Sequence, residues 1–364
     1  MEVFDRQVDS FRNRRRMNPK RILVTGGMGY IGSHTTVELQ AVGYDVIIVD
    51  NLSNSNRDVL KGIKAISGVE PTFYQVDCND QQAMREIYDR HRPDGVIHFA
   101  ASKAVGESVE KPLLYYRNNI LSLIVQLELM KEFGTKGIVF SSSCTVYGQP
   151  KKLPVTEEAP ILPATSPYGN SKQINEEIIR DTIHSGVDFR AILLRYFNPI
   201  GAHPSAEIGE LPLGVPQNLI PYLTQTAAGI RKELTVFGDD YNTPDGSCIR
   251  DYIHVVDLAK AHVVAIDRLL GAKATEPLEV FNIGTGRGAS VLELIHTFEE
   301  ATGVKVPHKI GPRREGDIEQ VWADPTRANK VLGWSAQSTL QEALKSAWKW
   351  QQKITKSPNQ KTKE

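Results

Sequence analysis

From residue 21 onwards the chain alternates short, β-branched apolar runs with longer amphipathic stretches. This alternation is typical of βαβ units and predicts a parallel sheet, because each helical stretch can return the chain to the start of a neighbouring strand. Six strands are predicted, at residues 22–25, 45–49, 72–76, 95–99, 137–141 and 190–195. Helices are predicted near residues 33–41, 81–91, 113–132 and 171–184. Right-handed crossovers would place them on both faces of one doubly wound sheet, so the predicted fold class is α/β.

The regular alternation ends after Asn198, where a Pro- and Gly-rich stretch occupies residues 199–221. Two later strand-like runs, at 234–237 and 279–283, could rejoin the main sheet or form a sheet of their own. The tails of the chain are polar, which favours disorder there. We therefore predict four segments: a disordered extension (1–18), a main domain (19–198), a smaller C-terminal α/β region (199–353) and a polar tail (354–364).

The composition describes a globular protein without a strong charge preference. Apolar residues make up 40% of the chain, and 43 basic residues are balanced by 43 acidic ones. Binding to nucleic acid or to an anionic membrane depends on concentrated Lys and Arg, so neither partner is expected. The longest apolar runs fall short of the roughly 20 residues that span a bilayer. No apolar stretch follows the basic cluster at residues 12–16 to make a secretory signal, and a cytoplasmic protein is expected.

Neither the cysteines nor the histidines are spaced as metal ligands or as a disulfide framework. Cys78, Cys144 and Cys248 are scattered along the chain, and the nine histidines show no ligand spacing. We therefore expect three reduced thiols and no metal site.

Polar or small residues follow the predicted strands at the points where the strands end. Asp50, Asp77, Ala100, Ser143 and Asn198 occupy these positions. The carboxyl ends of parallel strands share one edge of the sheet, and open α/β sheets bind their ligands at that edge. The sequence therefore predicts a ligand site there.

The first predicted strand leads into a glycine-rich turn and then into a helix. The stretch reads Thr25-Gly26-Gly27-Met28-Gly29-Tyr30-Ile31-Gly32. Glycines allow a tight turn and a close approach of the backbone to a pyrophosphate, whose charge the helix N-terminus stabilises. Asp50, at the end of the next strand, can accept hydrogen bonds from ribose hydroxyls and would repel a 2′-phosphate. Together these features predict a Rossmann domain that binds NAD rather than NADP.

Tyr168 and Lys172 stand where a helix is predicted to begin, in the stretch Ser166-Pro-Tyr-Gly-Asn-Ser-Lys172. A spacing of four residues is about one helical turn, so both side chains can project from one face. A phenol with its ordinary pKa of about 10 is a poor base, but a fixed positive charge nearby favours the phenolate. The pair can therefore act as a base and its electrostatic partner.

Five motifs occur together and in order along the chain. Besides the glycine-rich turn and the Tyr168–Lys172 stretch, they are Phe99-Ala-Ala-Ser-Lys-Ala-Val-Gly-Glu-Ser108, Ser141-Ser-Ser-Cys-Thr-Val-Tyr-Gly148 and Arg195-Tyr-Phe-Asn-Pro-Ile-Gly-Ala-His-Pro204. With these motifs the chain resembles the extended short-chain dehydrogenase/reductase family and, within it, the UDP-glucose 4-epimerase family. The resemblance covers residues 21–349.

The resemblance implies NAD as cofactor, a UDP-hexose as substrate and inversion at C4 through a 4-keto hexose, a step of galactose metabolism. Tyr168 would take the hydroxyl proton, Lys172 and the positive nicotinamide would lower its pKa, and Ser143 would hydrogen-bond the same sugar oxygen. The implied cofactor contacts are Gly26, Gly29, Tyr30, Ile31, Gly32, Asp50, Asn51, Leu52, Ser53, Asn54, Ser55, Asp77, Cys78, Phe99, Ala100, Ala101, Ser102, Lys103, Asn118, Ser143, Tyr168, Lys172 and Phe197. The implied substrate contacts are Lys103, Ser143, Tyr168, Asn198, Asn218, Leu219, Phe237, Arg250, Arg314, Asp317 and Val321.

Within the implied substrate site, Arg250 and Arg314 can grip a diphosphate, Phe237 can stack on uracil, and Asp317 can accept hydrogen bonds from ribose hydroxyls. Family members differ at the position of Val321, where a tyrosine accompanies strict hexose use and a small residue accompanies acceptance of N-acetylhexosamines. Valine is intermediate, so we predict UDP-glucose and UDP-galactose as the main pair and leave the acetamido sugars open. The family usually forms homodimers through two helices, here those near 113–132 and 171–184.

Other functions share much of this pattern. Another NAD-dependent nucleotide-sugar epimerase would use the same parts. A sugar-nucleotide 4,6-dehydratase also shares the fold, NAD and the Tyr/Lys pair, but that family typically has Asp-Glu where this chain has Cys144 and Thr145. A non-catalytic NAD-sensing regulator would have no reason to keep Ser143, Tyr168 and Lys172 together. The favoured class is therefore an isomerase.

Overall fold

The computed structural model describes residues 19–314 and 317–356. The predicted extension at residues 1–18 lies outside this range, as do residues 357–364 of the predicted tail. Within the described ranges, no helix combines the length and the apolar character needed to cross a membrane.

The described chain forms two compact units, each assembled from several segments. The first unit consists of the described residues up to Ser142, Ser166–Leu194 and Ala259–Val280. The second consists of Ser143–Thr165, Arg195–Leu258 and the described residues from Phe281 onwards. The chain therefore passes between the units several times.

The strands and helices alternate along much of the chain. The strands of the described residues are β1 (Arg21–Thr25), β2 (Asp45–Val49), β3 (Thr72–Tyr74), β4 (Gly95–His98), β5 (Gly137–Ser143), β6 (Arg190–Tyr196), β7 (Asn198–Ile200), β8 (Leu234–Phe237), β9 (Ile249–His254), β10 (Leu278–Ile283), β11 (Gly288–Ser290), β12 (His308–Gly311) and β13 (Gln320–Val321). The helices are α1 (Tyr30–Ala41), α2 (Val59–Ser67), α3 (Gln81–His91), α4 (Val105–Glu110), α5 (Pro112–Phe133), α6 (Pro167–His184), α7 (Leu219–Ala227), α8 (Val255–Leu270), α9 (Val291–Thr302) and α10 (Leu340–Lys356). A short 3₁₀ helix at Cys144–Tyr147 and a π-helical turn at Ala328–Leu332 complete the elements.

Seven strands form the main sheet, in the order β10-β6-β5-β4-β1-β2-β3. The pairs β1–β2, β1–β4, β2–β3 and β4–β5 are all parallel. The chain leaves β1 first towards β2 and β3 and then returns to its other side for β4, so the strand order reverses at β1. A reversal of this kind creates a ligand-binding crevice at the carboxyl ends of the strands. The predicted doubly wound parallel sheet is confirmed.

The inner strands consist of consecutive apolar residues because both of their faces are covered. In β1 and β2 every residue after the first is buried. A strand with helices on both faces needs apolar side chains at successive positions rather than at alternate ones. This pattern explains why both strands could be predicted from the sequence.

One late strand returns to the main sheet and another does not. β10 occupies the edge beside β6, although it lies far along the chain. β8 instead pairs in parallel with β12 in a separate two-stranded sheet. The two possibilities that the sequence left open for these runs are therefore both realised.

The helix that carries Tyr168 and Lys172 has a well-defined start. Ser166 caps α6 by accepting a hydrogen bond from the Gly169 N–H at 3.1 Å, and Pro167 occupies the first turn. Proline suits this position because its ring fixes a helical φ and no N–H is needed there. The helix consequently begins earlier than predicted, and both functional candidates lie within it.

In the second unit, β9 is the centre of a small mixed sheet. It pairs antiparallel with β11 and parallel with β7 and β13. Helices α7, α9 and α10 contribute Leu223, Phe298 and Leu344 to a separate buried core. These elements form the smaller α/β region, and β9 carries Arg250.

Candidate active site

The glycine-rich turn between β1 and α1 has no room for side chains at two of its glycines. Gly26 has a φ of +70°, and a Cβ atom there would lie 2.8 Å from the Ala100 nitrogen. A Cβ on Gly32 would lie 2.3 Å from the Gly26 carbonyl oxygen. Gly29 is the N-cap of α1 and offers no side chain to the first N–H groups of the helix. Those N–H groups can therefore bind an anion such as a pyrophosphate.

Asp50 links this turn to the loop that follows β2. One carboxylate oxygen accepts a hydrogen bond from the Met28 N–H at 3.1 Å. The other accepts from the Leu52 N–H and from the Ser55 hydroxyl, both at 2.9 Å. Because a carboxylate offers about four acceptor positions, capacity remains for a ribose hydroxyl.

Four implied cofactor contacts are joined by Asn79, which the sequence did not single out. The Asn79 amide donates to Asp77 Oδ1 at 2.8 Å and to Asn118 Oδ1 at 3.0 Å. Asn51 donates to Asp77 Oδ2 at 3.1 Å, and Asn118 donates to Ser102 Oγ at 3.0 Å. Asn79 Oδ1 is buried and has no hydrogen-bond partner among the described residues. An orphaned acceptor of this kind fits a bound group that supplies a donor. Its position two residues after a strand-end aspartate was the available signal.

Asn119 is a second residue that sequence reasoning missed. Its fully buried amide accepts from the Ser102 N–H at 2.8 Å and donates to the Ser102 carbonyl at 3.0 Å. The same amide donates to Ser171 Oγ at 3.0 Å. The loop at residues 99–103 is thereby fastened at Ser102 to α5 and, through Asn119, to Ser171 of α6.

Lys172 is buried, and its ammonium is held within the first unit. Nζ donates to the Ser141 carbonyl at 2.6 Å and lies 4.8 Å from the Phe140 ring centre. The Tyr168 ring centre is 5.9 Å away. Burial lowers the pKa of Lys172 to about 7, and the Glu176 carboxylate acts in the opposite direction. The ammonium expected from the sequence to be a fixed charge therefore titrates near neutral pH.

His98 senses the charge of Lys172 and is itself neutral at pH 7. Its Nδ1 hydrogen-bonds Thr25 Oγ1 at 2.8 Å, which ties the end of β4 to the end of β1. Burial and the Lys172 charge lower the pKa of His98 to about 3. At neutral pH His98 therefore adds no second positive charge near the Lys172 ammonium.

Ser143 ends β5 and begins the short 3₁₀ helix. Its Oγ accepts a hydrogen bond from the Thr145 N–H at 3.2 Å. Burial raises the pKa of the Cys144 thiol to about 12, so the thiol stays protonated. Neither Cys144 nor Thr145 supplies the carboxyl group that a dehydratase has at these positions.

Two arginines and an aspartate converge in the second unit. Arg314 donates to both oxygens of Asp317, from Nε at 3.1 Å and from Nη2 at 2.6 Å. Arg250 Nη2 lies 3.6 Å from the same carboxylate. The Arg314 guanidinium is 5.7 Å from the ring centre of Phe237, whose side chain is 42% exposed. Four implied substrate contacts are thus grouped, and the exposed ring is available for stacking.

Three further implied substrate contacts of the second unit, Val321, Asn198 and Asn218, lie on or beside three different elements. Val321 is buried in β13, where its register partner is Arg250 in β9. Asn198 begins β7, and Asn218 precedes α7 and donates to Glu210 Oε1 at 2.6 Å. Ser143 and Phe197, implied as cofactor contacts, also belong to this unit.

Cysteine and metal chemistry add no further candidate. Cys78, Cys144 and Cys248 are free thiols, and burial raises the pKa of Cys78 as well. In residues 19–314 and 317–356, no group of three or more His, Cys, Asp or Glu side chains could hold a metal ion.

Most of the chain is similar to proteins of known activity. A family model described as GDP-mannose 4,6 dehydratase matches residues 23–347. UDP-glucose 4-epimerase 2 of Arabidopsis thaliana is 51% identical over 334 residues, which cover 91% of this chain and 95% of the relative. The crystal structure of UDP-glucose 4-epimerase from Bifidobacterium longum with NAD+ and UDP is 49% identical, with a TM-score of 0.89 and coverage of 92% of this chain and 99% of that one. The enzyme from Stenotrophomonas maltophila, with NAD and formylated UDP-arabinopyranose, is 48% identical with the same TM-score and coverage.

Proposed function

This chain belongs to the UDP-glucose 4-epimerase family, and from that premise we propose that it interconverts UDP-glucose and UDP-galactose with NAD as its cofactor. The reaction inverts C4 of the hexose through a 4-keto intermediate, and the enzyme is an isomerase. One observation carries the proposal. The buried Lys172 stands one helical turn from Tyr168 and is bonded to Ser141 of β5, the strand that ends at Ser143.

The residues of the first unit fit NAD. The turn has no room for a side chain at Gly26, so its backbone can approach a pyrophosphate closely. Helix α1 also leaves its first N–H groups without a side-chain cap. Asp50 retains acceptor capacity for a ribose hydroxyl, and its charge disfavours a 2′-phosphate. NAD, when bound, takes up a hydride from C4 of the sugar and returns it.

Tyr168 is the proposed acid and base. As a phenolate it would accept the proton of the C4 hydroxyl, which lets the C–O bond become a carbonyl as a hydride leaves C4. The Lys172 ammonium would stabilise that phenolate, and the Ser143 hydroxyl would hydrogen-bond the same sugar oxygen. Tyr168 would then give the proton back as the hydride returns to the opposite face of the sugar, so the overall reaction consumes neither a proton nor a cofactor.

The diphosphate of the substrate is held while the hexose rotates. Arg250 and Arg314 are preassembled on Asp317 and retain N–H donors for phosphate oxygens. Phe237 offers an exposed ring to the uracil. Anchoring at the nucleotide leaves the 4-keto sugar free to present either face to the cofactor.

A 4,6-dehydratase and a regulator fit less well. A dehydratase needs a further acid and base to expel water, and Cys144 and Thr145 provide no carboxyl groups. A regulator that only binds NAD would gain nothing from burying an ammonium beside Tyr168, since a buried charge is unfavourable without a compensating role.

We also propose a homodimer and a cytoplasmic location. Leu113, Leu114 and Leu121 of α5 are exposed, Leu113 by 82%. Contiguous exposed apolar side chains mark protein–protein contact sites. A second copy of the chain is the proposed partner at this face.

Replacing Tyr168 by Phe tests the proposed reaction. Turnover of UDP-galactose should fall by at least about 100-fold, the effect typical of losing a general base. NAD binding and thermal stability should remain close to those of the unmodified protein. Tyr44→Phe is the matched control. Tyr44 lies at the amino end of β2, whereas Asp50 follows its carboxyl end, and the Tyr44 hydroxyl contacts Asp267. Substantial epimerase activity in Tyr168→Phe would contradict the assignment.

A further inference from the structure

Two consecutive residues of β5 bond to two residues one turn apart on α6. The Ser141 carbonyl accepts from Lys172 Nζ at 2.6 Å, and the Ser142 hydroxyl donates to Glu176 Oε1 at 2.5 Å. Lys172 is 2% exposed and Glu176 is 4% exposed. A cationic and an anionic side chain are thus buried together in the first unit, each fixed to the same strand.

A carboxylate is an unfavourable choice for packing a helix against a strand. An apolar side chain would fill the same space without the loss of hydration that a buried charge suffers. The Ser142 hydroxyl compensates part of this loss, since it hydrogen-bonds the carboxylate directly. A functional purpose for the Glu176 charge therefore explains this position better than core packing does.

The groups that face Lys172 identify that purpose. β4 contributes His98, which burial keeps neutral, and α6 contributes Tyr168. Tyr115 of α5 interacts electrostatically with Tyr168 and carries no charge at neutral pH, because burial raises its pKa. Glu176 of α6 is an acidic group whose charge raises the pKa of the Lys172 ammonium.

We propose that Glu176 is a positioning residue for the epimerase reaction. Its carboxylate, fixed by Ser142, keeps Lys172 in the charged form and in place beside Tyr168. This inference rests on the proposed function, because a charged Lys172 matters only if Tyr168 serves as the base. In this role Glu176 itself touches neither the substrate nor the cofactor.

The pH dependence of turnover tests the role. If the reaction needs the ammonium, activity is lost as pH rises through the pKa of Lys172. Removing the neighbouring negative charge in Glu176→Gln should therefore move the alkaline limb of kcat/KM for UDP-galactose to lower pH by about one unit. Glu177→Gln removes an exposed carboxylate from the same helix and should leave the limb where it is. Glu176→Asp keeps the charge, so its alkaline limb should lie close to that of the unmodified protein.

A second measurement separates this proposal from the function itself. The titration of Lys172 can be followed by NMR of ¹³Cε-labelled lysine, with the signal assigned by Lys172→Met. Its midpoint should fall in Glu176→Gln and stay unchanged in Glu177→Gln, whether or not the protein epimerises UDP-galactose. An inactive unmodified protein with this lysine shift would contradict the proposed function and support the electrostatic role.

Two outcomes would overturn the proposal. One is a folded Glu176→Gln protein whose alkaline limb and lysine midpoint coincide with those of the unmodified protein. The other is an equal shift in Glu176→Gln and Glu177→Gln, which would indicate a general charge effect.

If Glu176→Gln does not fold, Ser142→Ala replaces it, because that variant releases the carboxylate from β5. A smaller shift in the same direction is then expected, and an unshifted limb overturns the role.

Discussion

A single carboxylate organises the two arginines of the second unit. Asp317 accepts two hydrogen bonds from Arg314 and lies 3.6 Å from Arg250. Two guanidinium groups repel each other, so a shared anion allows them to lie close together, as the proposed diphosphate site requires. Each guanidinium has five N–H donors, which leaves donors for phosphate after Asp317 is satisfied. The role of Asp317 towards ribose hydroxyls stays a prediction.

At the residue scale, Val321 is the position from which we predict sugar selectivity. Val321→Ala removes two methyl groups beside the proposed sugar site and should raise the kcat/KM ratio of UDP-N-acetylgalactosamine to UDP-galactose. A difference of one or two methylene-sized groups in a pocket changes discrimination by about 10- to 200-fold, so a tenfold rise is expected. Steady-state kinetics with both substrates measure it.

Val155→Ala is the control for this change. Val155 and Val321 belong to the same buried apolar cluster, so both variants should lose similar stability. Only the Val321 variant should alter the ratio. Equal ratios in both variants would show that the wall of the sugar site lies elsewhere.

The sequence predicted candidate site residues where local backbone patterns require particular residue types, and it did not single out residues that act through distant contacts. Gly26 and Gly32 stand out because a turn and a helix start require them. Asn79, Asn119 and Glu176 belong to none of the five motifs, and their importance comes from partners on other elements. From sequence alone, the side chains of Asn119 and Glu176 could equally lie on the solvent-exposed faces of their helices, and only the fold buries them.

At the scale of elements, the edge of the main sheet is fastened by an ion pair. Arg268 of α8 donates to Glu279 of β10 from Nε at 2.7 Å and from Nη2 at 2.8 Å. Burial alone would raise the pKa of the Glu279 carboxyl, but the hydrogen bonds and charge of Arg268 outweigh it, and the pKa lies below 4.5. The ionised carboxylate is therefore the form that holds β10 to α8.

Glu279→Gln should lower the free energy of unfolding by about 3–5 kcal/mol at pH 7, because it leaves the buried Arg268 without its charge partner. A carboxyl whose pKa is depressed on folding stabilises the protein above its unfolded pKa and loses this effect as pH falls through its folded value. The difference between variant and unmodified protein should hence shrink below pH 4.5. Urea unfolding at pH 7 and at pH 3.5 measures both effects.

Glu276→Gln provides the comparison, since Glu276 is exposed and close to Glu279 in sequence. Its unfolding free energy should stay within about 0.5 kcal/mol of the unmodified value. A loss as large as that of Glu279→Gln would indicate that local charge, rather than the buried pair, stabilises this edge.

There are physical reasons why the sequence did not predict certain elements. Helix α8 contains Val255, Val256, Val263 and Val264, and β-branched residues favour strands over helices. Helix α2 is short and contains a glycine, which weakens any helical pattern. The strands of two or three residues in the second unit exist only through their pairing with β9. Long-range contacts rather than local propensity decide these elements.

At the scale of the whole molecule, the exposed face of α5 predicts self-association. The unmodified protein should have about twice the chain mass of 40.5 kDa in light scattering coupled to size exclusion. A double variant, Leu114→Lys with Leu121→Lys, should be monomeric because it places two charges in an apolar interface. Val69→Lys introduces the same charge at another exposed apolar position and should leave the mass unchanged. A monomeric unmodified protein would contradict the proposal.

The division of the chain into units also depends on distant contacts. The predicted boundary near Asn198 follows a change in local pattern, where regular alternation gives way to proline and glycine. The compact units are instead assembled from separate segments, such as Ala259–Val280 in the first unit. Pairing between β6 and β10 cannot be seen in either strand alone, since neither sequence specifies which strand it pairs with.

The place of β10 at the edge of the main sheet has a practical consequence for anyone shortening the gene. A fragment that stops near residue 198 would leave β6, with six consecutive buried residues, without its outer neighbour. Its unpaired N–H and C=O groups would then offer a template to the same strand of another molecule. Such a fragment should precipitate during expression rather than yield a minimal nucleotide-binding module, and a workable truncation must retain the stretch that ends at Ile283.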